Sequence, residues 1–158
     1  MPQSVTIRKG KTADSAAIAA ILLQSGWFSY FSEESRQVDA ERIEAFLESS
    51  YTEADSRSVY VAETESGIVV GYCTVQWLPY LFLPAPEGYV SELFVDDAWR
   101  GQGIGQRLIE TVEREARERG CSRLMLCNGR SRDSYKRGFY QKLGWQERES
   151  VANFMFKL

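Results

Sequence analysis

The sequence predicts an α/β fold in which helices cover both faces of a mixed sheet, and three observations carry that expectation. Short β-rich runs alternate with helical patterns from one end of the chain to the other. Glycine, proline and serine clusters separate these segments, with no repeats or low-complexity tracts between them. The 158 residues, 44% hydrophobic against 26% charged, bury enough apolar surface to offset chain entropy and form a single domain, 1–158.

Residues 5–8 alternate as a strand, and Asp14 is placed to cap a helix whose apolar positions are Ile18, Ile21 and Leu22. Gly26 ends that pattern, and Trp27, Phe28, Tyr30 and Phe31 follow in an irregular stretch. Asp39 is placed to cap a second helix carrying Ile43, Phe46 and Leu47. The β-rich runs 59–62 and 68–75 are joined by Glu65-Ser66-Gly67, which makes them an antiparallel hairpin. A proline-marked loop covers 79–86, and 89–95 is a strand apolar on both faces. From Gly105 to Arg119 runs a helix with Leu108, Ile109, Val112 and Ala116 on one stripe, closed by Gly120. Residues 124–127 read as a buried strand, 133–142 as one helix stopped by Gly144, and 154–156 as a final strand.

Composition removes several function classes. A net charge of −3 argues against a nucleic-acid partner, because such proteins carry a basic face. The basic residues between Arg130 and Lys142 suit a phosphorylated small molecule as well as a solvated helix face. With no histidine, neither a Ser-His-Asp triad nor a Cys-His pair is available. Cys73, Cys121 and Cys127 are odd in number and lack C-x-x-C spacing, so they read as buried, reduced thiols rather than disulfides or a metal site. The apolar run 16–23 is too short to span a bilayer and lacks a cleavage pattern, so the expectation is a soluble, cytoplasmic protein without a membrane partner.

The segment 95–105, Val-Asp-Asp-Ala-Trp-Arg-Gly-Gln-Gly-Ile-Gly, joins a strand end, a glycine-rich loop and a helix start. Gly101, Gly103 and Gly105 let the backbone turn tightly and approach a ligand, while the first helical N–H groups point outward and favour a phosphate. The helix dipole contributes only ~0.3–1 kcal/mol per favourable charge, so several amides acting with Arg100 matter more than any one. A pyrophosphate fits such a cradle. The G-K-[ST] ending of a P-loop is missing, as is G-x-G-x-x-G spacing.

Arg100, Gly103 and Gly105 meet the signature R/Q-x-x-G-x-G/A, and with ELFVDDAWRGQGIGQRLI and GFYQKLGW the chain resembles the GNAT acetyltransferase superfamily over nearly its whole length. The resemblance implies a GNAT-like, mostly antiparallel sheet of six to seven strands whose fourth strand bulges away from the fifth to open a cleft. It implies acetyl-coenzyme A as cofactor, with the diphosphate on Arg100, Gly101, Gln102, Gly103, Ile104, Gly105 and Gln106 and the pantetheine beside Phe94 and Val95. The implied reaction is direct attack of a primary amine on the thioester in a ternary complex, without metal. The amine acceptor is not identified, and homodimerisation stays open.

An amine with a pKa near ~10.4 is deprotonated about one part in a thousand at neutral pH, a deficit of about 4 kcal/mol that a base relieves. Glu92, a carboxylate in a central strand, is the preferred base; the other reading is a glutamate that only orients substrate or pairs with an arginine. Tyr140 matches the family's tyrosine, the acid for the departing thiolate. Tyr135, Phe139 and Leu143 recur every four residues and leave Tyr140 off their stripe, though packing is the alternative. Gly138 inside this helix suggests close approach by a neighbour. Asn128 follows the fifth strand as in many family members, and Arg137 or Lys136 is positioned for a phosphate contact. Trp27 and Tyr30 are candidates for an acceptor wall, against core packing. A catalytically inactive coenzyme A-binding or sensing module is the alternative function; it would bind without turnover.

Overall fold

The alternating β-branched and aromatic runs pair into one sheet: β1 (Val5–Lys9), β2 (Arg57–Thr64), β3 (Val69–Leu78), β4 (Glu87–Val95) and β5 (Arg123–Leu126), side by side in that order. The computed structural model describes residues 4–25 and 36–158. The first three junctions are antiparallel and β4–β5 is parallel. The chain divides into two compact units, Met1–Leu126 and Cys127–Leu158.

In the first unit, alternation along β2 distributes the helices. Val59 and Val61 pack with Tyr72 against Ile18 and Ile21 of α1 (Ser15–Gln24) and Leu47 of α2 (Arg36–Thr52). The intervening Ser58 and Tyr60 instead donate hydrogen bonds to Glu115 of α3 (Ile104–Glu118), at 2.9 and 2.7 Å. Successive strand residues point to opposite faces, so α1 and α2 cover one face and α3 the other. The predicted stripe of α3 is buried, with Leu108, Ile109 and Val112 fully enclosed. Gly71 is a glycine because a Cβ there would lie 3.2 Å from the Phe94 carbonyl and 3.4 Å from Ile104, where α3 starts against the sheet. Gly120, at φ +68°, closes α3 in a Schellman motif: Cys121 N–H donates to Ala116 O and Gly120 N–H to Arg117 O.

Two caps differ from expectation. The Asp14 carboxylate does not cap α1; it accepts from Arg8 at 2.8 and 2.9 Å and from the Lys11 N–H at 2.8 Å. The bidentate Arg8 pair and the Lys11 N–H between them occupy both carboxylate oxygens. α2 begins at Arg36, so Asp39 lies inside the helix rather than at its cap.

In the second unit the predicted helix 133–142 is two short ones, α4 (Asp133–Lys136) and α5 (Phe139–Lys142). Gly138 between them has φ +65°, a left-handed residue that no right-handed helix accommodates in its interior. The expectation of Gly138 as a close-packed helical glycine is therefore replaced by that of a hinge between two turns. α5 ends in a second Schellman motif at Gly144, with Trp145 N–H donating to Tyr140 O and Gly144 N–H to Gln141 O. The final strand at 154–156 is not formed: these residues have no ladder partner, and Phe154, Met155 and Phe156 are 90, 82 and 87% exposed. The sheet thus has five strands among the described residues, not six to seven. Of the cysteines read as buried, Cys73 is enclosed, Cys121 is partly buried and Cys127 is exposed.

Candidate active site

The site begins with one extra residue in β4. Thr74 of β3 pairs with Glu92, but the next residue, Val75, pairs with Val90, so Ser91 is a bulge. Val90 and Glu92 would share a face in a regular strand; the bulge turns Glu92 onto the face covered by α1 and α2. Pairing between β4 and β5 ends at Val90 and Leu126, so the β5-side edge of β4 from Ser91 to Val95 carries no strand among the described residues. Phe94 and Val95 lie on that stretch.

Glu92 reaches a cavity of about 230 Å³ lined by side chains that include Leu22, Ile43, Phe46, Tyr72 and Thr74. Thr74 Oγ1 donates to Glu92 Oε2 at 3.1 Å and sits 2.7 Å from the hydroxyl of the bulge residue Ser91. Burial raises the pKa of Glu92, and the hydrogen bond from Thr74 together with the nearby Tyr72 hydroxyl only partly opposes that. The Tyr72 hydroxyl is close enough to Glu92 for burial and the carboxylate charge to raise its own pKa, yet it makes no hydrogen bond of sound geometry. It is the one polar group at the cavity that is both fully buried and unsatisfied among the described residues. Tyr72 also stacks on Phe94, with ring centroids 5.8 Å apart.

β4 leads directly into the glycine loop. Asp96 N–H donates to Val70 O at 2.9 Å, and the Asp96 carboxylate accepts from Ala98 N–H, starting a 3-10 turn at Asp97–Trp99. Gln24, at the end of α1, donates to Asp96 and fixes this turn to the helix layer. Arg100 folds back, its Nε donating to Val95 O at 3.3 Å and its guanidinium pairing with Asp97 at 2.8 Å. It braces the loop through its side chain. Gly101 and Gly103 have φ +75° and +76°, are exposed, and a Cβ on either would meet nothing within 4 Å. Gly105 instead lies within the first turn of α3, and Arg107 N–H to Gly103 O is the first bond of its ladder. The amides of Ile104, Gly105 and Gln106 precede that bond in the first turn of α3, the arrangement that receives phosphate. Ile104 anchors the turn with a buried side chain, and Gln106 ties its own amide group to Glu110, so both offer backbone rather than side chain to a ligand.

Residues 21–145 match the acetyltransferase (GNAT) family. The chain belongs to the GNAT acetyltransferases. It is 28% identical over 139 residues to thialysine N-epsilon-acetyltransferase of Bos taurus, covering 84% of this chain and 81% of that one. It is 27% identical over 157 residues to aminoglycoside N(6')-acetyltransferase type 1 of Stenotrophomonas maltophilia, covering 97% and 94%. Among solved structures, a transcriptional regulator from Bacillus halodurans C-125 superposes with a TM-score of 0.81 at 26% identity, over 97% of this chain and 100% of that one. No helix among the described residues is long and apolar enough to cross a membrane.

The remaining GNAT candidates fall in the second unit or outside the described residues. Tyr140 sits between Phe139, edge-on at 4.9 Å, and Trp145 at 5.9 Å, so its ring belongs to an aromatic cluster. Its place off a Tyr135-Phe139-Leu143 stripe does not survive the break at Gly138, since Tyr135 and Phe139 lie on different helices. Asn128 Oδ1 accepts from Ser134 at 3.0 Å and helps seat α4. Arg137 is exposed over the Phe139 ring at 5.5 Å, while Arg130 pairs with Glu147. Trp27 and Tyr30 lie outside the described residues. Sequence reasoning passed over Tyr72 and Thr74, which surround Glu92 only because β3 and β4 pair in this register. A phenol in a run as apolar as 69–75 was the available signal.

Proposed function

We propose that this protein transfers an acetyl group from acetyl-coenzyme A to a primary amine by direct attack, with Glu92 as base and Tyr140 as acid. The observation that carries the reading is the continuity of one stretch of chain. The bulged Glu92, the stretch Phe94–Val95 beyond the last β4–β5 pair and the open glycine turn at 101–106 follow each other without interruption. The residues fit the cofactor: exposed left-handed glycines and the first amides of α3 suit its diphosphate, with Arg100 holding the turn. Asn128 and Arg137 are proposed as further cofactor contacts, and the whole chain as one functional domain.

Acetyl-coenzyme A, when bound, supplies an activated acetyl group and a thiolate leaving group. Glu92 Oε2 accepts the proton that the amine sheds as its nitrogen bonds to the acetyl carbon and the carbon–sulfur bond breaks. Burial raises the basicity of that carboxylate toward neutral pH, and Thr74 holds it in place. The Tyr140 hydroxyl delivers a proton to the sulfur.

Thiol release from acetyl-coenzyme A in the presence of an amine panel tests the activity; coenzyme A binding without turnover would instead mark a sensing module. Tyr140→Phe is expected to lower kcat about 10²- to 10⁴-fold while coenzyme A affinity is unchanged. Wild-type turnover in this variant removes Tyr140 from the acid role.

A further inference from the structure

The cavity at Glu92 also carries information about the acceptor. Among the described residues its walls are apolar side chains of α1, α2 and β2, and apart from the Tyr72 hydroxyl its polar lining is Thr74, Glu92 and Arg42. Glu92 is the single carboxylate among those described lining residues. Arg42, exposed on α2, adds a positive charge at the solvent side. Tyr72, 1% exposed, presents a hydroxyl without a hydrogen-bond partner among the described residues, a group that costs stability unless something in the cavity satisfies it.

From this arrangement we infer that the acceptor is a monoamine with an apolar body, an arylalkyl- or alkylamine, whose nitrogen sits at Glu92 and Tyr72 and whose hydrocarbon fills the slot between Leu22, Ile43 and Phe46. The inference rests on the acetyl-transfer reading above. An amine nitrogen donates to the carboxylate and to the phenol oxygen, giving the buried hydroxyl an acceptor role it otherwise lacks. The apolar walls reward hydrocarbon and penalise a second ammonium, which would find no second carboxylate among the described lining residues. Size agrees: about 230 Å³ exceeds the roughly 150 Å³ apolar cavity that holds one benzene and falls below the roughly 300 Å³ at which drug-sized sites begin. One ring with a short linker, or a chain of similar bulk, fits.

The test compares 2-phenylethylamine and hexylamine with spermidine, kanamycin and thialysine as acceptors, measuring kcat/KM by thiol release and confirming products by mass. The apolar monoamines are expected to exceed the polycations and thialysine at least 10-fold. Ile43→Trp, which narrows the slot, is expected to raise the KM for 2-phenylethylamine at least 10-fold and leave the KM for acetyl-coenzyme A unchanged. Should that variant fail to fold, calorimetric titration of wild type and Glu92→Gln with 2-phenylethylamine replaces it, with at least 10-fold weaker binding expected in Glu92→Gln. Turnover of spermidine, kanamycin or thialysine at rates equal to or above the apolar amines overturns this inference and leaves acetyl transfer standing. Binding of 2-phenylethylamine that depends on Glu92, with no amine acetylated, overturns the catalytic reading and supports the assignment of the slot. Absence of both binding and turnover of the apolar amines overturns the inference outright.

Discussion

Replacing Gly103 by alanine isolates what the turn before α3 does. Its φ is +76° and a Cβ there meets no atom within 4 Å, so the substitution introduces no clash and its cost is that of the backbone alone. An L-residue in the left-handed region costs about 1–2 kcal/mol, and in a chain of this size each kcal/mol lowers Tm by about 2–4 °C. The expected fall is therefore about 2–8 °C. Strain of that size also tends to rotate φ away from +76°, re-aiming the amides around Gly103, whose carbonyl accepts the first ladder bond of α3 from Arg107 at 3.1 Å. One hydrogen bond to a charged acceptor contributes about 1.5–3 kcal/mol, so losing one weakens coenzyme A binding by about 10- to 150-fold.

Gly120→Ala is the matched control. It also has a positive φ, +68°, and open space, but at the other end of α3, roughly 22 Å away along the helix axis. Both variants should lose similar thermal stability in a melting experiment, and only Gly103→Ala should lose coenzyme A affinity in calorimetry. If Gly103→Ala melts lower yet binds coenzyme A as wild type does, the amides at this turn do not hold the diphosphate and the cofactor reading fails.

Three further outcomes are expected. Glu92→Gln should lower turnover about 10²- to 10⁴-fold at unchanged KM for acetyl-coenzyme A. Because burial raises the folded-state pKa of Glu92, wild type loses stability as pH rises from the unfolded value near ~4.3 through the folded one; the variant should therefore melt higher than wild type at pH 8 with the gap closing toward pH 4, and a gap of opposite sign would contradict the burial argument. Glu115 behaves oppositely: burial pushes its pKa up, but bonds from Tyr60, Ser58 and Arg119 outweigh it, so its contribution is present above about 4.3 and lost as pH falls; Glu115→Gln should cost about 1–3 kcal/mol at pH 7 by urea unfolding, and a gap that persists undiminished at low pH would refute that assignment. Gly88→Ala drives a Cβ onto Leu124 and to 2.7 Å from the Trp77 ring, and should destabilise by about 1–3 kcal/mol; an unchanged denaturation midpoint would mean that this junction repacks freely.

Local chemistry made much of this molecule legible in advance. The turn at 101–106 and the helix after it depend on glycines and on a stripe that repeats every turn, both of which are written in consecutive residues. Gly138 was ambiguous, because a glycine in a helical pattern reads equally as a packed interior residue or a left-handed break, and only φ decides. The polar cluster in which Glu115 accepts from Ser58, Tyr60 and Lys9 was hidden, since its members come from α3, β2 and β1 and lie up to 106 residues apart. The apolar residues at 154–156 carry the composition of a strand, but a strand also needs an edge to pair with, which composition does not supply.

Glu92 shows why a residue's type can be read from sequence when its direction cannot. Counted along the strand, it shares parity with Val90, which pairs with Val75 on the face covered by α3; a regular β4 would have put the carboxylate there, against the hydrophobic stripe of that helix. Ser91, small and hydroxyl-bearing, takes the extra position and hydrogen-bonds to Thr74, one residue after the last β4–β5 pair at Val90. One inserted residue therefore turns the carboxylate away from α3 into the slot beneath α1 and α2. That effect has no local signature, because a bulge is defined by the partner strand's count as well as its own.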